Sequence, residues 1–330
     1  MSVNLICYGV REVEVPYFNE LNKHKYKTTL VEELLNGENL DLIKGHNSVM
    51  LRGNCHADRE VIKTMAGYGV KNLLTRTVGF NHIDVEAAKE HGMKIARVPG
   101  YSPNAISELA LTLAMTLLRS TTYTVNKTVK KDFTADPTMF SPEIRNCTVG
   151  IIGTGKIGLT TARLFKGLGA DVIAYDVYKN ESAKDIVRYV SIDELQQKSD
   201  VISIHCPYFK DSNHHMIDDK FIENMKNNSI LINTARGELQ DIEAVIRGVE
   251  SGKLKGFGTD VLEGEHNIFF KNLVGKTLDA TTEKLINLFP RVMITPHIGS
   301  YTDEALTNMV EISYDNLNDI LTKGYSINEL

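Results

Sequence analysis

The stretch Thr148-Val149-Gly150-Ile151-Ile152-Gly153-Thr154-Gly155-Lys156-Ile157-Gly158 decides the fold of this chain. An apolar β-type run leads directly into a Gly-x-Gly-x-x-Gly pattern, and a helical pattern follows as far as Gly167. A strand, a glycine-rich turn and a helix in this order form the start of a dinucleotide-binding βαβ unit. Gly153 permits the tight turn, Gly155 lets the backbone approach a pyrophosphate, and Gly158 allows helix and strand to pack closely. The N-terminus of the helix offers amide donors and a partial positive charge to the anion.

A carboxylate suited to bind ribose ends the strand that follows this helix. Asp176 stands about 20 residues beyond the turn, where such a residue binds the adenosine ribose hydroxyls. Because a carboxylate there repels a 2′-phosphate, the sequence predicts NAD rather than NADP as the cofactor. The alternative is a set of structural glycines with a surface aspartate, and the complete βαβ context argues against it.

Strand and helix patterns alternate along the whole chain, which favours a parallel α/β architecture. Strands are predicted first at Asn4–Tyr8, Ser48–Leu51, Lys71–Thr75 and Lys94–Val98, and then at Thr148–Ile152, Asp171–Tyr175, Val201–His205, Ile230–Asn233, Gly256–Asp260 and Val292–Thr295. A long helical pattern begins at Ser102-Pro103 and weakens towards Lys131, and a last helix is predicted from Thr302 to about Lys323. With 330 residues the chain is long enough for two domains, and the candidate boundaries lie near Pro99 and Gly299.

Composition excludes several classes of function. The chain has 37 Lys+Arg against 42 Asp+Glu, a net charge of −5, and it contains no basic run, so no nucleic-acid partner is predicted. No apolar run reaches the length of a membrane span, and the first residues do not resemble a signal peptide. Four widely spaced cysteines without a Cys-x-x-Cys pattern indicate reduced thiols in a cytoplasmic protein: Cys7, Cys55, Cys147 and Cys206.

No metal site is predicted from the sequence. His214 and His215 are adjacent, but they lie in a polar segment with no matching ligand spacing nearby. A solvated loop is therefore the favoured interpretation of this pair. Cys206 has no base beside it in the sequence, and packing is the favoured interpretation of its thiol.

Three polar groups follow the ends of late strands, at the edge of a parallel sheet where ligands bind. Arg236 follows the strand at Ile230–Asn233, Glu265 follows the next strand, and His297 follows the last one. Reduction of a ketone by hydride needs a proton donor, a group that orients the donor and a cation that polarises the carbonyl. A carboxylate beside a histidine raises the histidine pKa, and a guanidinium can hold a 2-oxo acid. The common placement of the three residues, rather than any one of them, points to acid–base chemistry.

At these residues the chain resembles the D-isomer-specific 2-hydroxyacid dehydrogenases over nearly its whole length. The matching motifs are the glycine-rich turn, His205-Cys206-Pro207, Asn233-Thr234-Ala235-Arg236-Gly237, Asp260-Val261-Leu262-Glu263-Gly264-Glu265 and Thr295-Pro296-His297, together with Val78-Gly79-Phe80-Asn81-His82-Ile83-Asp84 and Tyr101-Ser102-Pro103-Asn104-Ala105. The resemblance implies two Rossmann-like domains with parallel sheets, one flavodoxin-like and one dinucleotide-binding, and an active-site cleft between them. Residues 1–100 with 300–330 would form the substrate domain, and 101–299 the inserted NAD-binding domain. The family generally forms homodimers.

The resemblance also assigns roles to residues. It implies that Arg236, Glu265 and His297 are the catalytic triad, and that His297 is the general acid and base. Substrate contacts are expected from the amides of Val78 and Gly79, from Tyr101 and from Arg52. Cofactor contacts are expected from Gly153, Gly155, Lys156, Ile157, Gly158, Asp176, His205, Cys206, Pro207, Thr234, Ala235 and Asp260.

The reaction expected from this resemblance is the NAD-dependent reduction of a 2-oxo acid to the D-(R)-2-hydroxy acid. Motifs of the first domain look most like the branch that acts on (R)-2-hydroxyglutarate. A cation at Arg52 would pair with the distal carboxylate of 2-oxoglutarate, whereas an apolar substrate would leave it desolvated without a partner. Arg52 could instead be a solvated residue or bind the 1-carboxylate of any 2-oxo acid. D-lactate and (R)-2-hydroxyisocaproate dehydrogenase activities remain alternatives, since Phe80 fits the D-lactate form of its loop.

Two functions without catalysis use the same fold. One is an NAD-sensing binding protein similar to the C-terminal-binding corepressors, and the other is an NAD-binding subunit that has lost activity. Because the sequence starts at its first predicted strand and stops soon after its last predicted helix, we do not expect the disordered tails of the first class. The intact triad argues against the second.

Overall fold

A computed structural model describes residues 3–330, so Met1 and Ser2 of the predicted substrate domain lie outside the described residues. The chain forms two compact units. Met1–Ser102 and Tyr301–Leu330 make up the first unit, and Pro103–Ser300 make up the second. Each unit contains one parallel sheet with helices, which confirms the predicted fold class.

The first unit is built on a five-stranded parallel sheet with the order β2-β1-β3-β4-β5. Its first elements are β1 (Asn4–Tyr8), α1 (Val15–Glu20), β2 (Lys27–Val31), β3 (Ser48–Leu51), α2 (Arg59–Gly67), β4 (Asn72–Thr75), α3 (Val85–Glu90) and β5 (Lys94–Arg97). Strands β3 and β4 are buried along their whole length, as expected for the middle of a parallel sheet. The strand order is that of flavodoxin-like folds, in which ligands bind at the carboxyl ends of the strands.

The second unit contains a seven-stranded parallel sheet with the order β12-β11-β10-β9-β6-β7-β8. Its elements are α4 (Pro103–Leu118), α5 (Thr121–Val129), β6 (Thr148–Ile152), α6 (Lys156–Gly167), β7 (Asp171–Tyr175), β8 (Arg188–Tyr189), α7 (Ile192–Lys198), β9 (Val201–Ile204), α8 (Lys210–Asn213), α9 (Asp219–Asn224), β10 (Ser229–Asn233), α10 (Ile242–Glu250), β11 (Leu254–Thr259), α11 (Ala280–Asn287) and β12 (Val292–Ile294). Counted from β6, this is the dinucleotide-binding order 3-2-1-4-5-6 with one further strand. The order reverses between β6 and β9, which is where such sheets bind their ligand.

The final helix, α12 (Asp303–Lys323), returns to the first unit. Its N-terminus is capped by the Thr302 hydroxyl, which accepts a hydrogen bond from the Ala305 amide at 3.2 Å. Val310, Tyr314 and Leu317 pack into a fully buried cluster with residues of β1, β3, β4 and β5. Residues from both ends of the chain therefore share one hydrophobic core.

The long helix predicted from Ser102 to about Lys131 is two helices. Helix α4 ends at Leu118, and Ser120 adopts a left-handed conformation with φ of 48° before α5 begins. The Ser120 hydroxyl donates a hydrogen bond to the Thr138 carbonyl at 2.9 Å, which anchors the break. Strands β2 and β8, which the sequence patterns did not predict, lie at sheet edges and are only partly buried.

Candidate active site

The glycine-rich turn connects β6 to α6 in the geometry that the sequence predicts. Gly153 has φ of +92°, and a Cβ atom there would lie 2.6 Å from the amide nitrogen of Cys206. At Gly158 a Cβ atom would lie 1.9 Å from the Gly153 carbonyl oxygen. Gly155 precedes α6, and a Cβ atom there would meet nothing within 4 Å. Two glycines are thus required by the protein's own packing, whereas Gly155 leaves space open in front of the helix.

Asp176 is hydrogen-bonded to this turn. Its Oδ2 atom accepts hydrogen bonds from the Thr154 amide at 2.5 Å and from the Thr154 hydroxyl at 2.9 Å. Its Oδ1 atom accepts from the Tyr178 amide at 2.9 Å, and the Tyr189 hydroxyl donates to Thr154 Oγ1 at 2.9 Å. These bonds hold the carboxylate of Asp176, directly after β7, beside the turn, as expected of a ribose-binding residue.

An open pocket of about 480 Å³ lies in front of the turn. Its lining includes Gly155 and Lys156, which the sequence predicts, and it is completed by Pro103, Thr154, Leu159, Thr160, Arg163 and Asn180. Arg163 also lines this pocket, although no sequence motif includes it. It lies seven residues after Lys156, about two helical turns along the same face of α6, so helical periodicity could have identified it. Two cations and a helix N-terminus in one pocket are suited to bind a pyrophosphate.

Further predicted cofactor residues lie in the segments that follow β9 and β10. The Ser203 hydroxyl and His205 Nε2 are 2.9 Å apart, and burial lowers the pKa of His205 to about 3. Burial raises the pKa of Cys206 to about 11. The buried hydroxyl of Thr234 has no hydrogen-bond partner within residues 3–330. An unsatisfied buried hydroxyl is suited to bind a ligand, and together with the space at Gly155 it fits NAD.

Glu265 and His297 are in direct contact. Oε1 of Glu265 and Nδ1 of His297 are 2.5 Å apart, although the residues are 32 positions apart in the sequence. Glu265 Oε2 accepts a hydrogen bond from the Leu262 amide at 3.1 Å, so both oxygens of this carboxylate are used. The side chain of Glu265 is 19% exposed and that of His297 is 37% exposed, so the histidine is the more accessible partner.

His297 adopts an unusual backbone conformation, with φ of 53°. Left-handed conformations are uncommon in residues other than glycine and need support from their surroundings. Asp260, only 2% exposed, supplies that support. It accepts hydrogen bonds from the Thr295 hydroxyl at 2.6 Å and from the amides of Ile298 and Gly299, both at 2.8 Å. Burial raises the pKa of Asp260, and these hydrogen bonds oppose that rise.

Arg236 lies in a tight segment after β10. The side chain of Asn233 accepts from the Ala235 amide at 2.9 Å and donates to the Arg236 carbonyl and to Gln240 Oε1, both at 2.8 Å. Next to it, a Cβ atom on Gly237 would lie 2.1 Å from the Leu262 carbonyl carbon. The segment of Arg236 therefore packs, backbone against backbone, on the loop that leads to Glu265. No sequence motif indicates the role of Asn233 or Gln240.

The predicted substrate residues belong to the first unit. The carbonyls of Val78 and Gly79 accept hydrogen bonds from Arg97 at 2.8 Å and from the Thr77 hydroxyl at 2.6 Å, whereas their amides donate none within residues 3–330. The Tyr101 carbonyl accepts from Asn308 Nδ2 at 2.6 Å.

Arg52 follows β3 and lies beside Tyr301. Its guanidinium donates a hydrogen bond to the Tyr301 hydroxyl, and its Cζ atom is 5.6 Å from the centre of the tyrosine ring. The guanidinium of Arg11, which follows β1, stacks on the same ring with Cζ at 3.8 Å from the centre. The structure thus groups two cations with one tyrosine, and no sequence pattern indicates that Arg11 and Tyr301 belong to this group.

Comparison with known proteins identifies the family. Residues 111–299 match the model of the D-isomer specific 2-hydroxyacid dehydrogenase NAD binding domain. The chain is 38% identical to an aromatic 2-oxoacid reductase from Clostridium sporogenes, over 99% of both chains. It is 40% identical to a D-lactate dehydrogenase from Lactiplantibacillus plantarum, over 98% of this chain and 97% of that one. The crystal structure of a D-lactate dehydrogenase from Treponema pallidum matches with a TM-score of 0.89 and 37% identity, over 99% of both chains.

The chain belongs to the D-isomer-specific 2-hydroxyacid dehydrogenase family. It is an NAD-dependent oxidoreductase of that family, which confirms the predicted cofactor and reaction class. The alternative of a non-catalytic NAD-sensing protein finds no support, because the relatives named above are dehydrogenases and a reductase. No helix within residues 3–330 is long and apolar enough to cross a membrane.

Proposed function

We propose that this protein reduces a 2-oxo acid to the D-(R)-2-hydroxy acid, with His297 as the general acid. The contact of 2.5 Å between Glu265 Oε1 and His297 Nδ1 carries this proposal. Because Nδ1 is bound to the carboxylate, Nε2 is the ring nitrogen that can transfer a proton to the carbonyl oxygen of the substrate. Glu265 fixes the orientation of the ring and stabilises the charge of the imidazolium. Proton transfer by a positioned histidine accelerates such a step by roughly 10²–10⁴-fold.

When bound, NADH would supply the hydride that reduces the carbonyl carbon. In the NAD complex, Gly153, Gly155 and Gly158 would shape the turn that holds the pyrophosphate, with Lys156, Ile157 and Arg163 on the following helix. Asp176 would bind the ribose. The remaining contacts would come from His205, Cys206, Pro207, Thr234, Ala235 and Asp260. The carboxylate of Asp176, held beside the turn, supports a preference for NAD over NADP.

Arg236 is proposed to orient the substrate and to polarise its carbonyl. The turn built by Asn233 and the close packing at Gly237 fix the backbone on both sides of this arginine. The guanidinium itself donates a hydrogen bond to the Ala235 carbonyl at 2.6 Å. A guanidinium positioned in this way is suited to bind a carboxylate or a carbonyl oxygen.

The first unit is proposed to be the substrate domain, and the second unit the NAD-binding domain. The amides of Val78 and Gly79, which have no partner within residues 3–330, are suited to bind the 1-carboxylate of the substrate, with Tyr101 nearby in the sequence. Adjacent backbone NH groups are common ligands of anions.

For the substrate, we propose 2-oxoglutarate. Arg52 and Arg11 place two guanidinium groups around Tyr301 in the first unit. A substrate with a single carboxylate would need no cation there in addition to Arg236. A second carboxylate on the substrate would pair with Arg52, and an apolar side chain would leave that charge partly desolvated. The second candidate is pyruvate, because relatives at 37–40% identity are D-lactate dehydrogenases.

Steady-state kinetics with a panel of 2-oxo acids test both candidates. The panel contains 2-oxoglutarate, pyruvate, 4-methyl-2-oxopentanoate and phenylpyruvate, and the loss of NADH absorbance is measured. We expect the highest kcat/KM for 2-oxoglutarate, and we expect Arg52→Gln to lower it about tenfold or more, which corresponds to about 1.4 kcal/mol. The matched control is Arg59→Gln, an exposed arginine paired with Glu90.

The loss in Arg52→Gln should be less than about threefold for pyruvate. Equal losses for 2-oxoglutarate and pyruvate, or no loss, would remove the role of Arg52 in binding the distal carboxylate. A wild-type preference for pyruvate with no turnover of 2-oxoglutarate would establish the second candidate instead.

We also propose a cytoplasmic homodimer. Helix α5 and the segment after it expose apolar side chains that a partner would cover, namely Val129 at 77%, Phe133 at 80% and Phe140 at 79%. All four cysteines are free thiols, as expected in a reducing compartment. Light scattering should give twice the chain mass of 36.9 kDa, and Phe133→Glu should shift it to the monomer. A monomeric wild-type protein would exclude the dimer, and recovery of the protein outside the cytoplasmic fraction would exclude the compartment.

A further inference from the structure

The strongest feature outside the proposed catalytic site is a cluster of His214, His215 and Glu263, which we call the histidine cluster. Nε2 of His215 is 2.8 Å from Glu263 Oε2, and Nε2 of His214 is 3.5 Å from Glu263 Oε1. One donor atom from each residue lies within 4.8 Å of the other two. The two histidines are separated from the glutamate by almost fifty residues, so sequence spacing alone did not reveal the cluster.

The two imidazole rings face the same side because of the backbone at His215. Side chains of neighbouring residues usually diverge, but His215 has φ of 51°. The rings are stacked, with their centres 3.9 Å apart and their planes inclined by 30°. The ring of Tyr208 flanks His214 with its centre 5.9 Å away.

Backbone contacts hold the three segments of the histidine cluster together. The amide of His215 donates a hydrogen bond to the Glu238 carbonyl at 2.9 Å. The neighbouring Gly237 packs so closely on Leu262 that a Cβ atom would lie 2.1 Å from the Leu262 carbonyl carbon. Because Glu263 follows Leu262 directly, its position relative to His215 is set by main-chain packing.

The donor set suits a tetrahedral first-row metal ion, and its atoms lie near the spacing that such an ion needs once the exposed side chains turn towards it. With ligand bonds of about 2.0–2.1 Å, the donor atoms around tetrahedral zinc are about 3.3–3.4 Å apart. The separations from the two imidazoles to the nearer oxygen of Glu263, 2.8 Å to Oε2 and 3.5 Å to Oε1, lie on either side of this value. Two imidazoles and one carboxylate suit Zn²⁺, whereas Ca²⁺ and Mg²⁺ prefer oxygen donors only.

We propose that His214, His215 and Glu263 form a binding site for one Zn²⁺ ion per chain, with water as the remaining ligand. The ion would connect the segment after β9 to the loop after β11. Glu263 is two residues before Glu265, and Glu238 is two residues after Arg236. An ion in this site would therefore stabilise the loop of Glu265 directly, and the segment of Arg236 through the hydrogen bond from the His215 amide to the Glu238 carbonyl. The site is independent of the identity of the substrate.

Zinc titration of the tag-free, metal-free protein tests the proposal. Competition with a chromophoric zinc chelator should show one Zn²⁺ per chain with a dissociation constant in the micromolar range or below. His214→Asn and Glu263→Gln should each weaken binding about tenfold or more. The matched control is His91→Asn, which removes an exposed histidine of the first unit and should leave the affinity unchanged.

A thermal melt of the same proteins provides the second readout. Ligand binding to the native state raises the melting temperature, so saturating Zn²⁺ should raise that of the wild type and of His91→Asn. Zn²⁺ should raise the melting temperature of the two cluster variants much less. Circular dichroism in the absence of zinc checks that both variants are folded. Absence of stoichiometric binding to the wild type, or equal affinity in the wild type and both cluster variants, would overturn the proposal.

Discussion

Replacement of Glu14 by alanine should destabilise the first unit more than any surface change. Glu14 and Arg76 form a buried ion pair, with side chains only 6% and 2% exposed. Two guanidinium nitrogens of Arg76 lie 3.3 Å from the carboxylate oxygens of Glu14, and one of them also donates to the Gly9 carbonyl at 2.5 Å. In Glu14→Ala the guanidinium stays buried with its countercharge removed.

The expected loss is about 3–5 kcal/mol in the free energy of unfolding, because an uncompensated buried charge is left behind. The amide of Arg11 also loses its acceptor, Glu14 Oε2, at 2.9 Å. With a urea dependence of about 2–3 kcal/mol per molar, the unfolding midpoint should fall by about 1–2.5 M. Because the chain has no tryptophan, circular dichroism at 222 nm is the appropriate probe.

Two further variants serve as controls that distinguish the loss of the buried charge pair from other effects of the substitution. Glu12→Ala removes an exposed glutamate from the same turn and should change stability by less than about 0.5 kcal/mol. The double variant Glu14→Leu with Arg76→Met removes both charges and should recover much of the loss. A Glu14→Ala protein as stable as the Glu12→Ala control would refute the reasoning about the buried pair.

Three more predictions concern the second unit. Gly158→Ala should lower the melting temperature, because its Cβ would lie 1.9 Å from the Gly153 carbonyl oxygen. Gly155→Ala should leave the melting temperature unchanged and weaken NADH binding, as measured by calorimetry. Equal melting temperatures of the two variants would contradict this prediction. Burial raises the pKa of Cys206 to about 11, so its thiolate fraction at pH 8 is about 10⁻³. Cys206 should therefore react with a thiol reagent much faster in the unfolded protein than in the folded protein. Rapid labelling of Cys206 in the folded protein would contradict this prediction. Burial lowers the pKa of His205 to about 3, so protons bind the unfolded state first as pH falls below about 6.5, and stability falls by up to about 1.4 kcal/mol per pH unit. Urea unfolding of His205→Gln at pH 7.0 and 5.5 should show a smaller loss than the wild type, and an unchanged loss would exclude this source.

Periodicity and the glycine-rich turn were sufficient to predict the architecture. Helix α6 begins at Lys156 and ends at Gly167, as predicted, because its apolar spacing and its N-terminal turn agree. Strand β2 was missed because Lys27, Thr28 and Thr29 give an edge strand with little apolar surface. The break after α4 was missed because the left-handed conformation of Ser120 depends on its bond to the Thr138 carbonyl, a contact between distant residues.

The site shows the same division between local and tertiary signals. Glu265 and His297 follow neighbouring parallel strands, so the edge rule was sufficient to place them together. No local signal shows that Asp260 anchors the backbone around His297, or that Arg11 stacks on Tyr301. Such contacts depend on the three-dimensional packing of loops, which the hydrophobic pattern does not encode.

The most direct test of the account compares turnover and cofactor binding in the wild type and in His297→Asn. Asparagine tolerates the left-handed backbone at this position, so the substitution removes the proton donor without the strain that alanine would add. We predict that the variant binds NADH within about twofold of the wild type, by fluorescence titration, and that its kcat for 2-oxo acid reduction falls by at least about 10²-fold. Turnover of the variant close to that of the wild type would contradict the central claim that His297 donates the proton.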